Sequence, residues 1–344
     1  MRAFTTALNE EKYMESRLFA ALEREVSGIG IGTWQLGADW GEVDPTDAAQ
    51  TLEAAIESGV TFIDTADVYG DGHSEQFVGQ FLASHPGAEL TVATKMGRRV
   101  PQQAENYTRD NFLAWNDRSR TNLGVDTLDL VQLHCPPSDV IDANETWDWL
   151  DAMVDEGRIR AYGVSVETCD QALSAMTRPG CASVQIILNI MRRKPLERVL
   201  SRAQETQTAI IARVPLASGL LSGRYTEKTT FAPTDHRTYN RDGSAFDVGE
   251  TFSGVPFDIG VQASQTFVEL CRTFAPADAT PAQVALRWIL DQPGVTTVIP
   301  GARNSEQARG NAAAATLEPL SPEFLSALEA LYNENIREHV HNRW

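Results

Sequence analysis

Val60-Thr61-Phe62-Ile63-Asp64-Thr65-Ala66-Asp67-Val68-Tyr69-Gly70 begins as a short apolar run, stops on an aspartate and continues into a loop that carries a tyrosine. On its N-terminal side lies the amphipathic segment Thr46–Ser58, with Ala48, Leu52, Ala55 and Ile56 on one face and Gly59 where a left-handed terminal residue is wanted. Helix, glycine, strand, polar end and loop form one βα unit. The same unit recurs along the chain, with strands predicted at Ile29–Trp34, Val60–Asp64, Leu90–Lys95, Leu128–His134, Ile159–Ser165, Ser183–Leu188, Ala209–Arg213 and Thr296–Pro300. Further helices are marked by Trp147, Leu150 and Val154 ahead of Gly157, and by Thr280-Pro281 opening a stripe of Val284, Ala285, Trp288 and Ile289. Eight strands with intervening helices fit a doubly wound open sheet or a closed α/β barrel. Asp64, Lys95, His134, Ser165 and Arg213 each end a strand, and Gln185 lies within one. Only the C-terminal mouth of a barrel gathers so many strand ends at one point, so a (β/α)8 TIM barrel is expected over residues 1–344 as one domain.

Three stretches exceed a minimal barrel. Residues 1–28 are expected to plug or trail from the barrel bottom, residues 221–260 to form a long loop over the active mouth, and residues 316–344 to add a helix, Glu323–Tyr332, and a tail. The loop fits a lid or substrate wall, and also a surface ornament or oligomer contact.

Composition limits the partners. The 344 residues are 42% apolar and 22% charged, as in an ordinary globular protein, with a formal charge of −18 from 29 basic and 47 acidic side chains. That charge argues against nucleic acid or an anionic membrane as partner, and an anionic ligand then needs a local basic site. No apolar run approaches the length of a membrane span, and the N-terminus has no apolar core of a signal peptide. Cys135, Cys169, Cys181 and Cys271 are widely spaced, suggesting neither disulfide framework nor zinc ribbon, and a reducing cytoplasm is the expected location.

Lysine is scarce, at Lys12, Lys95, Lys194 and Lys228 only. Lys95 ends a strand beside those that end in Asp64 and His134, and Tyr69 follows Asp64 by five residues. A lysine pointing into a barrel mouth needs a partner, for which Asp64 is placed. Such a lysine favours the phenolate of a neighbouring tyrosine, so Tyr69 is expected to titrate below its usual ~10 and to serve as a general acid or base. The same residues also fit a structural salt bridge with a loop aromatic and a core histidine, and a desolvated Lys95 fits a Schiff-base nucleophile.

Taken as a set, Gly32-Thr33-Trp34, Phe62-Ile63-Asp64-Thr65-Ala66 with Tyr69-Gly70, Gly72 with Ser74-Glu75, Val92-Ala93-Thr94-Lys95, Val131-Gln132-Leu133-His134, Gly163-Val164-Ser165 and Ile299-Pro300-Gly301-Ala302 resemble the aldo-keto reductases, in the family's order, over roughly residues 17–335. The resemblance implies a (β/α)8 barrel that reduces an aldehyde or ketone with NADPH, NADH being the other candidate cofactor. Tyr69 would protonate the carbonyl oxygen, Lys95 paired with Asp64 would tune it, and His134 would orient the substrate. It places cofactor contacts on Gly32, Thr33, Trp34, Asp64, Ser165, Gln185 and Arg213, on the diphosphate-binding segment Pro215, Leu216, Ser218, Gly219, Leu221, Gly223 and Arg224, and on Gly301, Arg303, Gln307 and Asn311. The stretch opening at Pro300 precedes a helix N-terminus, a natural phosphate site, and Arg303 is the candidate ligand of the 2′-phosphate.

The chain departs from the family's pattern at three points. Val166 follows Ser165 where many members have asparagine, so that Ser165, Gln185 or Asn189 would hold the nicotinamide amide. Arg213 stands where many place an aromatic ring against the nicotinamide, and an arginine plane can also stack there. Gly301 stands where a lysine would clasp the cofactor. A small carbonyl or sugar-like substrate is expected, with Trp34, Trp40, His236 and Arg237 as candidate contacts. The oxidative direction, as an NAD(P)-linked aldose or alcohol dehydrogenase, and a non-catalytic nucleotide-sensing role remain as alternatives, and the oligomeric state is not indicated. His339-Val340-His341 lacks a third ligand, so no metal is assigned.

Overall fold

In a computed structural model that describes residues 14–37 and 44–344, eight parallel strands run in the order of the chain. They are β3 (Ile31–Gly32), β4 (Phe62–Asp64), β5 (Thr91–Met96), β6 (Leu128–His134), β7 (Ile159–Ser165), β8 (Cys181–Ile187), β9 (Ala209–Arg213) and β10 (Val295–Val298). Parallel bridges from Ile29 to Val298 and from Gly32 to Gly301 join the last strand to the first, closing the barrel. Helices cover the outside, each starting where local chemistry satisfies its first N–H groups. Asp44 accepts from Thr46 ahead of the helix Pro45–Glu57, and Thr280 and Gln283 form a reciprocal capping box at Pro281–Leu290.

The period of two along each strand builds the site directly. Phe62, Ala93, Leu130, Ala161, Ala209 and Ile211 belong to the apolar cluster inside the barrel. Moving two residues on from these stays on the same face, and brings Asp64, Lys95, Gln132, Gly163 and Arg213 inward at the C-terminal end. Two further residues add His134 and Ser165. Register aligns these positions, with Lys95 opposite Gln132, His134 opposite Ser165 and Ser165 opposite Gln185.

The opposite end is closed by an antiparallel hairpin, β1 (Ser16–Phe19) with β2 (Arg24–Ser27). Phe19 and Val26 are fully buried against the barrel interior, and the Phe19 ring stacks on Phe62 at 6.5 Å. After β9 the chain makes an excursion that includes the short helix His236–Tyr239 before the long helix Phe257–Phe274 begins, ahead of the expected boundary at Gly260. Near its far end Trp344 donates from Nε1 to Asp247 Oδ1 at 3.0 Å and lies 3.9 Å beneath the Arg192 guanidinium. A Cβ on Gly254, whose φ is +79°, would meet that indole at 2.2 Å, so the close approach requires glycine. The C-terminal helix spans Pro322–Asn335, capped by Ser321. Among the described residues no helix is long and apolar enough to cross a membrane.

Asp67, on the loop between β4 and Tyr69, is fully buried, and neither carboxylate oxygen has a hydrogen-bond partner among the described residues. Burial, followed by repulsion from Glu75, raises its pKa from 3.8 to about 7 against the opposing pull of Arg99, Arg118 and Lys95. The folded state therefore prefers the protonated form. Its contribution to stability is largest below the unfolded value, falls as pH rises, and levels off above about 7. Asp67→Asn, which cannot ionise, should gain on the wild type by on the order of 2 kcal/mol more at pH 8 than at pH 5. Denaturant unfolding of both proteins at the two pH values checks this, and an equal difference at both would show that Asp67 titrates normally.

Candidate active site

Lys95 is 1% exposed, and its ammonium is held by Asp64 Oδ1 at 2.5 Å, the Thr65 carbonyl at 2.8 Å and Tyr69 Oη at 3.2 Å. Gln185 Nε2 donates to the other oxygen of Asp64 at 2.8 Å. Burial alone would lower the lysine's pKa, but Asp64 and then Tyr69 outweigh it and the net shift is upward. Such an ammonium stays charged and fully coordinated, which removes the Schiff-base reading of Lys95. Tyr69 differs from the sequence expectation. Its pKa is raised, because burial exceeds the lowering by Lys95. The phenol therefore keeps its proton at neutral pH.

Gly70 fixes the turn that presents this phenol. Its φ is +56° and a Cβ there would fall 1.7 Å from the Gly37 carbonyl oxygen. The Tyr69 ring stacks with Trp34 at 6.1 Å and meets His134 edge-on at 5.9 Å. His134 Nδ1 has no hydrogen-bond partner among the described residues. Burial, then the positive charges of Arg98, Lys95 and Arg213, holds the imidazole pKa well below its usual value. It is neutral and carries a single N–H.

A cavity of about 390 Å³ runs from these residues toward the helix Ser305–Ala312. Of the sequence candidates, Gly32, Trp34, Asp64, Tyr69, His134, Ser165, Gln185, Arg213, Pro215, Leu216, Ser218, Gly219, Arg224, His236, Arg237, Gly301, Arg303, Gln307 and Asn311 line it. Thr33, Leu221 and Gly223 do not. Thr33 is buried behind the wall, donating to the Asp64 carbonyl; Leu221 is wholly buried in the apolar core, and Gly223 ends a helical turn with φ +73°. Trp40 lies outside the described residues. Asn189 also stands outside the cavity, donating to the Val214 carbonyl and Ser253 Oγ.

Arg237 sits at the far end rather than against Tyr69. It pairs with Asp235 at 2.5 Å, donates to Tyr225 Oη at 2.6 Å and lies close enough to Arg303 to lower its pKa, after burial. His236 packs on Trp34 at 4.8 Å. His341, weighed as a metal ligand, uses both ring nitrogens on Tyr332 and Glu197.

Several features suit a dinucleotide. Backbone φ is positive at Val214, Ala217 and Ser218, strain of a kind that clusters at ligand sites and that a β-branched valine adopts rarely. Asn304 caps the helix at Ser305, and Arg303 N donates to Gln307 Oε1. Arg237 and Arg303 both line this end of the cavity, near enough for their charges to interact. At the other end Arg213 Nε is buried with no hydrogen-bond partner among the described residues, and the guanidinium is fixed by Val166 O at 3.0 Å and Glu167 at 2.9 Å. Gly301 is explained by Gln35, whose side chain fills the space at 2.0 Å from where a Cβ would stand.

Other lining residues carried no sequence signal. Cys135, Gln35, Tyr225 and Glu250 reach the cavity from loops far apart in the chain. Glu250 bonds Arg98 at 2.9 Å and lies 3.9 Å from Arg213, while Cys135, with φ +51°, has its thiol pushed up to about 12 by burial.

The Aldo/keto reductase family model matches residues 28–333. An aldo-keto reductase of Bacillus subtilis, YhdN, is 30% identical over 298 residues, 86% of each chain. A glycerol dehydrogenase of Gluconobacter oxydans superposes with a TM-score of 0.77 at 28% identity, covering 93% of this chain and 96% of that one. An aldo/keto reductase of Klebsiella pneumoniae solved with NADP and acetate gives 0.66 at 25% identity, over 90% and 93% of the two chains. With the barrel, the buried lysine and its strand-end partners in place, the chain belongs to the aldo/keto reductase family.

Proposed function

We propose that this oxidoreductase reduces a polar, hydroxylated aldehyde or ketone with NADPH, Tyr69 donating the proton. The observation that carries the reading is the protonated Tyr69 phenol held 3.2 Å from a fully coordinated Lys95, beside a neutral His134. Bound NADPH supplies a hydride to the carbonyl carbon. Tyr69 Oη and the His134 N–H bind the carbonyl oxygen, and as negative charge develops there Tyr69 releases its proton to it. Lys95, kept charged by Asp64, stabilises the phenolate left behind. Gln185 and Ser165 offer oxygens to the cofactor's amide, Arg213 offers a plane to its ring, and Arg303 offers its charge to the 2′-phosphate. Trp34 and His236 form a wall that keeps water from the substrate.

The likeness to a glycerol dehydrogenase favours a second reading, in which the same groups oxidise a polyol. A panel of aldehydes, ketones, sugars and polyols, followed by cofactor absorbance in both directions with NADPH and NADH, tests both. No turnover of any member would leave only nucleotide binding.

Two substitutions examine the roles. Tyr69→Phe should cut turnover by the ~10²–10⁴-fold of general acid catalysis while NADPH affinity, read by titration, stays nearly unchanged. Near-normal turnover would remove Tyr69 from its role. Arg303→Ala should weaken NADPH by ~1.5–3 kcal/mol and leave NADH little affected, since only the former carries the phosphate. Equal weakening of both would show that Arg303 does not read that group.

A further inference from the structure

Four charged side chains meet at the substrate end of the cavity, on four separate segments. Arg98 follows β5, Glu167 follows β7, Arg213 ends β9 and Glu250 comes from the excursion between β9 and the helix Phe257–Phe274. Arg98 Nη2 reaches Glu250 Oε1 at 2.9 Å and Glu167 Oε1 at 3.3 Å, while Arg213 bonds Glu167 Oε2 at 2.9 Å and stands 3.9 Å from Glu250. All four are at least mostly buried, and Arg213 and Glu250 line the cavity itself. Two features single out Glu250. Burial opposes its charge, but Arg98 and then Arg213 hold its pKa down to about 2, so it is ionised throughout the neutral range, whereas burial pushes Glu167 upward. Glu250 is also the one member of the four that the barrel does not supply. Its segment is docked by Ser218 Oγ, which donates to the Glu250 carbonyl and accepts from Phe252 N, and by Asp247 on Trp344.

A dihydronicotinamide is neutral and becomes a cation when its hydride leaves. Where an aromatic ring faces that cation there is nothing to repel it. On the NADPH reading above, the facing group is the Arg213 guanidinium, which lines the cavity, and in a buried site the repulsion of two positive groups in contact is poorly screened. Building on the NADPH reading above, we propose that Glu250 balances the charge that the nicotinamide gains against Arg213, and thereby sets how tightly NADP+ is held relative to NADPH. Because Glu250 arrives on the excursion, the coupling is reciprocal. The oxidised cofactor holds residues 247–254 in place more firmly than the reduced one does.

The test is calorimetric titration of NADP+ and NADPH into the full-length wild type, Glu250→Gln and Glu250→Asp. Glu250→Gln should raise the ratio of the NADP+ to the NADPH dissociation constant roughly fivefold or more, and Glu250→Asp should recover most of the wild-type ratio. A residue that merely anchors the excursion would weaken both nucleotides by one factor. An unchanged ratio in Glu250→Gln, with or without a common loss of affinity, overturns the proposal while leaving the reductase reading intact. Failure of the wild type to bind either nucleotide would remove that reading, and the proposal with it.

Discussion

A lysine ammonium with 1% exposure is the constraint around which the mouth of this barrel is arranged. Removing such a charge from water costs several kcal/mol, and the ion pair with Asp64 repays that only with good geometry and further hydrogen bonds. The structure provides them from adjacent strands. Asp64 ends β4, Lys95 lies in β5 beside it, and the turn after β4 returns both the Thr65 carbonyl and Tyr69 Oη to the same nitrogen. Asp64 in turn is fixed from across the barrel by Gln185. The arrangement is a weak source of stability, since an apolar pair would cost less to bury. Its consequence is chemical, because it sets a cation next to the Tyr69 oxygen, where on the proposed reading it would stabilise the phenolate left by proton transfer.

The second half of the cavity follows a different rule. Between Val214 and Pro256 the chain leaves the barrel period, and what holds it are side chains serving the backbone. Asn240 accepts from the N–H groups of Ala245 and Phe246 and donates to Thr251, Asn189 ties Val214 to Ser253, and Ser218 ties two backbone positions across the segment. Positive φ at Val214, Ser218, Phe252 and Ser253 accompanies these contacts. Strain of that sort persists only where surrounding bonds over-determine it. A segment built this way can deliver Glu250, His236 and Arg237 to the cavity without any of them being specified by a strand or helix pattern.

That difference explains what could be read from the amino-acid order. Strands announce themselves by composition and turn signals, and their period of two puts Asp64, Lys95, His134, Ser165 and Arg213 on one face, so both the barrel and the convergence at its mouth were legible. The assignment of Leu221 and Gly223 to the cofactor followed the likeness of a segment, yet the helical turn Ala217–Ser222 packs Ala217, Leu220 and Leu221 into the core. Tyr69 was expected to be acidified by its lysine because proximity can be inferred from strand order, whereas the depth of burial that outweighs it cannot. Glu250, Cys135, Gln35 and Tyr225 enter by tertiary routes with no local pattern. Arg237 was placed with the substrate from its position in the excursion, but the fold turns it to Asp235, Tyr225 and the region of Arg303.

The electrostatics of the whole chain and of its cavity run in opposite senses. A protein with formal charge −18 repels anions at a distance, yet the cavity ends at a helix N-terminus with Arg303 and Arg237 beside it and Arg224 along its wall. At the other end, two arginines are matched by two carboxylates, where the proposed reading puts the hydride transfer. On that reading, basic side chains gather toward the phosphates, while charges are paired off where the ring would sit. Affinity for a dinucleotide can then come from its phosphates, which do not change during the reaction. On the proposed reading, the energy of the ring, which does change, is left to a compensated quartet of which Glu250 alone comes from the excursion.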